Sequence, residues 1–174
     1  KQHADGGWAW WDGGTSDPYL SAYVVYGLVE AEESGYDIAS STLNDGLSYL
    51  STHMPDLSEN PSTWQANRYA FMVYTLARGD RGSSTYAATI YKRRDLLSLY
   101  GKAYLLQAIH LEDPDNSRIA ELVAEIQSAA IITSTGAHWE EGYRDYWNWN
   151  TDLRTTAIVL NAMVQADEKN ILNA

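Results

Sequence analysis

The sequence predicts an all-α protein in which two kinds of helix alternate along the chain. Some segments are apolar or aromatic at nearly every position, so their helices need neighbours on most sides. The segments between them carry apolar residues along one stripe and predict helices with a solvent-facing side. This alternation predicts two concentric layers. Because the inner helices are apolar all round, it favours an α/α toroid, here a partial ring, over an open solenoid.

The first inner helix is predicted to begin at Pro18, after a turn rich in glycine and tryptophan. Ser16 and Asp17 supply an N-cap, and proline suits the first helical position. Residues 19–29 are almost all apolar, but the run is too short to span a bilayer. Gly35 supplies the cap that ends this helix.

Two segments show the one-sided pattern of an outer helix, about Ser40 to Met54 and about Ser117 to Ile132. The apolar residues recur at i, i+4, i+7 and i+11 in the first segment and at i, i+3, i+4 and i+7 in the second. The stripe residues are Leu43, Leu47, Leu50 and Met54 in the first segment and Ile119, Leu122, Val123 and Ile126 in the second. A shorter helix is predicted from about Ser84 to Arg94.

Three later segments repeat the pattern of the first inner helix. They run from about Thr63 to Arg78, from Leu96 to Leu111, and onward from a cap at Thr151 and Asp152. The four copies align from Ala22, Ala70, Ala103 and Ala157, with loops of variable length between them. The alignment pairs Leu28 with Met163, so we expect both to be buried. A further outer helix is predicted from Glu168 to Ala174.

The helical pattern fails between Ala137 and Asn150. The stretch HWEEGYRDYWNWN reads as two short aromatic strands around a turn at Glu141 to Asp145. We therefore predict one β-hairpin near residues 137–150.

The chain is acidic, with 12 Lys and Arg, 23 Asp and Glu, and a net charge of -11. This charge argues against nucleic acid or an anionic membrane as a partner. The absence of cysteine excludes disulfides, thiolate zinc sites and a cysteine nucleophile within these residues. No low-complexity linker, signal peptide or membrane-spanning run occurs, and motifs are cut at both ends. We expect residues 1–174 to be one fragment of a single domain.

Three stretches carry a resemblance to one family. QHADGGWAWW, SDPYLSAYVVYGLVEAEESGYDI and WNWNTDLRTTAIVLNAM cover Gln2 to Ile38 and Trp147 to Met163. They resemble the complement-like thioester domain of the bacterial α2-macroglobulin family. The resemblance implies an α/α toroid, which agrees with the fold class predicted from the pattern. The resemblance also implies that the chain is not an enzyme but part of an endopeptidase inhibitor that traps proteases. It implies that this inhibitor lies in the cell envelope or is secreted.

The resemblance implies a Cys-to-Gln thioester that acylates the trapped protease, with target proteases and neighbouring domains of the parent protein as partners. The family's motif, of the type Cys-x-Glu-Gln, has no match between Lys1 and Ala174. Complement-type members place an acyl-transferring histidine after the second matched helix, yet residues 55–63 contain none. His53 ends the preceding helix, where we expect a surface or capping role.

Three other classes of protein share the α/α-toroid or α/α-barrel architecture. QHADGGW also fits the QxxxGxW motif of squalene and hopene cyclases, but the DxDD motif that supplies their catalytic acid is missing. Prenyltransferase β subunits share the architecture, but their zinc site needs a cysteine, which this sequence lacks. A carbohydrate-active α/α-barrel enzyme, a glycosidase or polysaccharide lyase, stays open. Its paired carboxylates would come from Asp5, Asp12, Asp17, Glu140 and Glu141, which we otherwise expect to be caps, turn residues or solvated charges.

The remaining histidines do not predict a metal site. His3, His110 and His138 lack the spacing of a helical metal site. We therefore predict no catalytic, cofactor-binding or metal-binding residues and no cofactor.

Six tryptophans lie just before predicted helices. They are Trp8, Trp10, Trp11, Trp139, Trp147 and Trp149. We favour the interpretation that they plug the ends of helical hairpins, where each would bury roughly 200 Å². In the resembled family, they could instead pack against the neighbouring domain that shields the thioester.

Overall fold

The computed structural model describes residues 1–57 and 60–166. Within this part of the chain there are seven α-helices and one two-stranded hairpin. The helices are α1 Pro18–Glu33, α2 Ser40–Thr52, α3 Thr63–Arg78, α4 Ser84–Tyr91, α5 Leu99–Glu112, α6 Arg118–Ser128 and α7 Asp152–Ala166, and the strands are β1 Ile131–Thr133 and β2 Gly136–His138. The outer helix predicted from Glu168 lies outside the described residues.

The helices form two layers, as the alternating pattern predicts. In the inner layer α1, α3, α5 and α7 pack in chain order, each on the next. In the outer layer α2, α4 and α6 each pack on the two inner helices that flank them in sequence. The all-α class with a small hairpin is therefore confirmed.

The outer helices bury the stripes that the pattern identifies. In α2, Leu43, Leu47 and Leu50 are buried, while Met54, beyond the helix end, is half-buried. In α6, all four predicted stripe residues are buried. The middle inner helices α3 and α5 are buried along nearly their whole length, because each lies between two inner neighbours.

The hairpin lies earlier in the chain than predicted. Its strands pair Ile131 with His138 and Thr133 with Gly136, so the preceding helix ends at Ser128 rather than at Ile132. Thr133 Oγ1 accepts from the Thr135 N–H at 3.3 Å, and Gly136 has a φ of +154° that favours glycine. Residues 140–150 form no strand, and the side chains of Glu141, Asp145 and Asn148 bond instead to α5 and α3.

Leu28 is half-buried, although its aligned partner Met163 is fully buried. The prediction that Leu28 is buried is therefore wrong in that the side chain is only partly covered. Among the described residues, α1 packs closely on one inner helix, α3, and on the outer helix α2, and it buries Ala22, Val25 and Val29.

Ion pairs join neighbouring helices at the surface. Glu125 on α6 accepts from Lys102 Nζ of α5 at 2.6 Å and from Arg94 Nε at 2.9 Å. Arg78 of α3 pairs with Glu30 and Glu33 of α1. No helix in the described part of the chain is both long and apolar enough to cross a bilayer.

Candidate functional site

The glycine- and tryptophan-rich turn is bonded to both α1 and α2. Gln2 Nε2 donates to the carbonyls of Gly6 at 2.9 Å and of Thr42 at 3.0 Å. Gly6 has a φ of +88°, and a Cβ there would lie 2.3 Å from the Asp45 carbonyl oxygen. Only glycine therefore lets the turn lie this close to α2. The Trp8 N–H donates to Ser21 Oγ at 2.8 Å, which joins the turn to α1.

The 141–150 segment is held on α3 and α5 by the buried carboxylate of Asp145. Asp145 Oδ2 accepts from the Tyr100 hydroxyl at 2.6 Å, from Asn148 Nδ2 at 2.7 Å and from Asn67 Nδ2 at 3.2 Å. Hydrogen bonds from several donors compensate for the lost hydration of a buried carboxylate. At the start of the segment, Glu141 accepts from the Tyr100 N–H at 3.1 Å and so caps α5.

Arg68 of α3 joins the same segment to α1. Its Nε donates to Asn148 Oδ1 at 2.8 Å and its Nη2 to the Trp147 carbonyl at 2.9 Å. The guanidinium carbon lies 4.3 Å above the Tyr19 ring and 4.8 Å from the Trp64 ring. The guanidinium therefore donates hydrogen bonds to the 147–148 backbone and side chain and also packs on two aromatic rings, a combination that arginine makes in recognition sites.

These contacts present a set of exposed aromatic side chains at the N-terminal ends of the inner helices. We call this surface the aromatic face. It consists of Trp10 (46% exposed), Trp11 (79%), Tyr146 (73%), Trp147 (66%) and Trp149 (62%). Trp10 lies edge-on to Trp149 with centroids 5.7 Å apart, so the two ends of the chain contribute to one surface. Exposed aromatic side chains grouped in this way are typical of an interaction surface.

The structural-plug interpretation holds for two of the six tryptophans and is wrong for four. Trp139 is 1% exposed, and its Nε1 donates to the Ile126 carbonyl at 2.9 Å. Trp8 is half-buried against Gly46 and Val25. The four tryptophans of the aromatic face instead remain 46 to 79% exposed.

A cavity of about 410 Å³ opens beside the aromatic face. Its wall includes Trp64, Arg68 and Tyr19, together with Pro55 and Pro61 from the loop before α3. Trp64 also stacks on Trp147, with centroids 5.6 Å apart, so the cavity and the aromatic face are continuous. The volume lies within the range of small-ligand and side-chain pockets.

A cluster of tyrosines surrounds Arg154 at the start of α7. Its Nη2 donates to the Tyr23 hydroxyl of α1 at 2.6 Å and to the Tyr104 hydroxyl of α5 at 3.4 Å. Its Nη1 donates to the Asn148 carbonyl at 3.3 Å. Arg154 of α7 therefore connects α1, α5 and α7.

The five carboxylates that could serve a glycosidase occupy structural positions. Asp17 caps α1 by accepting from the Leu20 N–H at 2.7 Å, and Glu141 caps α5. Asp5 accepts from the Gly7 N–H and from Ser16 Oγ, and these bonds lower the pKa of its carboxyl. A glycosidic acid needs a raised pKa instead. Glu140 bonds to His138, and Asp12 is exposed in a turn.

The histidines show no shared site. His53 follows the last residue of α2, stacks on Tyr49 and bonds through Nδ1 to the Tyr49 carbonyl, which agrees with the expected capping role. His3 Nδ1 bonds to Ser16 Oγ at 3.0 Å within the N-terminal turn. Among the described residues, no group of three or more His, Asp or Glu side chains could hold a metal ion.

Sequence reasoning missed Asp145, Arg68, Trp64 and Arg154. Their partners lie far along the chain, up to 131 residues away for Tyr23 and Arg154. One local signal existed, because Asp145 is a favoured N-cap residue and accepts from the Asn148 N–H three residues on.

Two curated relatives are similar in sequence. The chain is 29% identical over 147 residues to an α2-macroglobulin of Thermotoga maritima, covering 80% of this chain and 9% of the relative. It is 33% identical over 97 residues to an α2-macroglobulin of Rickettsia conorii, covering 55% of this chain and 5% of the relative. No family model matches. The chain thus spans less than a tenth of either relative.

Solved structures agree in fold. Native Escherichia coli α2-macroglobulin, from domain MG7 to the C-terminus, superposes with a TM-score of 0.72 at 21% identity, covering 93% of this chain and 26% of that one. The trypsin-activated form gives 0.73 at 21% identity, covering 98% and 11%. The resemblance to bacterial α2-macroglobulins identified from the sequence is confirmed.

Proposed function

We propose that this chain, which is related in sequence and in fold to the bacterial α2-macroglobulins, forms part of the thioester (complement-like) domain of a protease-trapping protein. Two stretches that resemble the thioester domain of this family support the proposal. They run from Gln2 to Ile38 and from Trp147 to Met163, and they include four of the five residues of the aromatic face. The curated relatives carry the name of a protease-inhibitor family and not of an enzyme. The proposed setting is extracytoplasmic.

In this proposal the chain is scaffold, and the reactive bond belongs to a longer polypeptide. A thioester needs a cysteine thiol, and residues 1–174 contain none. The isolated chain should therefore neither gain mass on incubation with methylamine nor form a covalent conjugate with trypsin. The longer protein should do both. Failure of the longer protein to react with methylamine would overturn the thioester assignment.

We further propose that the aromatic face packs on a neighbouring domain of the same polypeptide. Its five aromatic side chains are exposed here, and the relatives place the homologous region within chains about ten times longer. Burying four indole rings would release a large apolar area from water. The same contact would keep water from an adjacent thioester.

Tryptophan replacements in the longer protein test this contact. Trp11→Ala and Trp147→Ala should raise the rate of methylamine incorporation before any protease is added, because the shielding contact is weakened. Ile132→Ala, at a 72%-exposed position on the hairpin, is the matched control and should leave the rate unchanged. An unchanged rate in both tryptophan variants would exclude the aromatic face as the shielded surface.

A further inference from the structure

Trp149 has a backbone conformation that tryptophan rarely adopts. Its φ is 49° and its ψ is 37°, which lies in the left-handed helical region. For a bulky side chain this region is a true outlier, because the Cβ crowds the following carbonyl oxygen. Among the described residues, Asp80 is the other non-glycine residue with a positive φ, and aspartate tolerates this region better. The backbone at Trp149 is therefore strained.

The strain lies where a short helical turn ends. Tyr146–Asn148 form a 3-10 turn, and the Asn150 N–H donates to the Asp145 carbonyl at 3.0 Å across it. The Trp149 N–H donates to the Tyr146 carbonyl at 3.4 Å. These two bonds make a Schellman motif, in which the left-handed residue is usually glycine and sometimes asparagine. The position therefore favours glycine, yet the sequence places tryptophan there.

The residues on both sides of Trp149 hold it in this conformation. Asn148 is 1% exposed, and its Nδ2 donates to the Tyr100 hydroxyl at 3.1 Å. Asn150 is 7% exposed, and its Nδ2 donates to Thr155 Oγ1 at 2.8 Å. Because both neighbours are fixed by buried side chains, the backbone between them cannot relax without breaking these bonds.

The Trp149 ring contributes little to the fold that would offset this strain. It lies edge-on to the Trp10 ring, which is itself 46% exposed. Its Nε1 makes no hydrogen bond to any described residue. Strained residues persist where the surrounding structure over-determines them, and they cluster at functional sites. The indole therefore serves a contact beyond the packing of the described residues.

We infer that Trp149 is the anchor of the aromatic face, the residue whose ring enters an apolar recess on the neighbouring domain. This role rests on the function proposed above. A rigid indole buries a large area, and tryptophan is enriched among the few residues that dominate the binding energy of an interface. The Nε1–H calls for one hydrogen-bond acceptor inside the recess. The match covers 9% of the Thermotoga maritima relative, so a polypeptide of that length has room for such a domain.

Substitutions at this one position separate the strain from the ring. Trp149→Gly and Trp149→Asn remove the ring and suit a left-handed residue, whereas Trp149→Ala removes the ring and keeps the strain. In urea denaturation of this chain, Trp149→Gly should lower the equilibrium constant for unfolding by about three- to tenfold, and Trp149→Asn should lower it too. Trp149→Ala should not lower it. Trp147→Gly, within the same turn, is the matched control and should raise it. A Trp149→Gly chain no more stable than Trp149→Ala would overturn the inference.

The longer protein tests the contact itself. Trp149→Gly should raise the rate of methylamine incorporation before any protease is added by at least about tenfold, and by more than Trp11→Ala does. A gain in stability together with a loss of shielding is the result that a packing role for Trp149 would not give. If Trp11→Ala and Trp147→Ala raise the rate and Trp149→Gly does not, the anchor role is overturned and the proposed function stands. If the unmodified longer protein takes up no methylamine, the proposed function itself fails, and the anchor role fails with it.

Discussion

The Tyr100 hydroxyl lies 2.6 Å from Asp145 Oδ2, and this hydrogen bond joins α5 to a segment 45 residues later in the chain. Asp145 is 1% exposed, and all the donors that reach its carboxylate are neutral. The Asp145 carboxylate also accepts from the N–H and from Nδ2 of Asn148, and so holds the turn that carries Tyr146, Trp147 and Trp149. A buried polar group thus sets the shape of an exposed apolar surface.

Asp145→Ala should lower the free energy of unfolding by about 2 to 4 kcal/mol, since it leaves the buried Tyr100 hydroxyl without an acceptor and removes one of the two acceptors of Asn67 Nδ2. Urea denaturation measures the loss. Asp12→Ala, an exposed aspartate in the turn before α1, is the control and should change stability by less than about 0.5 kcal/mol. Equal losses in the two variants would contradict the role given to Asp145.

Alkaline pH should weaken folding through buried tyrosines. Burial raises the pKa of Tyr69 from 10.0 to about 12. Its phenol therefore stabilises the fold fully below pH 10, and this contribution is lost as pH rises from 10 to about 12. Burial, together with the Asp145 carboxylate, also raises the pKa of Tyr100. Stability measured across this range should fall less steeply in Tyr69→Phe, and an unchanged slope would refute the assignment.

Acid should remove the contribution of the Glu125 ion pairs. Partial burial opposes ionisation of Glu125, but hydrogen bonds from Lys102 and Arg94 outweigh it and lower the pKa of the carboxyl. A lowered pKa means that the stabilisation is present above the unfolded value of 4.5 and is lost as pH falls below it. The pairs are partly exposed, so the effect should stay below about 1 kcal/mol.

Glu125→Gln tests this by thermal denaturation at neutral and at acidic pH. The variant should be less stable than the unmodified chain near pH 7, and the difference should shrink as pH falls below 4.5. Glu32→Gln, at an exposed position near the end of α1, is the control and should match the unmodified chain at both values. A difference that persists in acid would mean that the carboxylate charge is not the cause.

Tryptophans inside and outside the core should respond differently to truncation. Trp139→Ala should cost about 3 to 5 kcal/mol, since it opens a cavity and removes the bond to the Ile126 carbonyl. Trp11→Ala should cost less than about 0.5 kcal/mol, because the ring is 79% exposed. Chemical denaturation of both variants checks the contrast. A large loss for Trp11 would restore the plug interpretation for that residue.

Local sequence signals were sufficient for most helices. The bounds of α3 match the prediction from Thr63 to Arg78, since Ser62 and Gln65 form a capping box and Gly79 follows the last residue. Hydrophobic period alone identified the stripes of α2 and α6, because one-sided burial leaves a clear repeat.

Long-range side-chain contacts explain what the sequence did not predict. The stretch from Glu140 to Asn150 has the aromatic content of strands, but Asp145 and Asn148 bond to α3 and α5 and hold it in another form. Aromatic residues at helix junctions can face inward or outward, and the local sequence is the same in both cases. The half-burial of Leu28 depends on which neighbours α1 has, and the repeat alignment does not contain that information.

The bond between Arg154 and Tyr23 bears on how the chain unfolds. A row of helical repeats in which each unit contacts only its neighbours can fray from either end, so that terminal units melt before the centre. Here α7, the last inner helix of the described residues, is bonded to α1 across 131 residues of sequence. Fraying of α7 therefore also releases α1, and loss of either end removes a contact from the other. Such coupling favours joint melting of the two helices, and in Tyr23→Phe we expect hydrogen exchange in α7 to run ahead of exchange in α3.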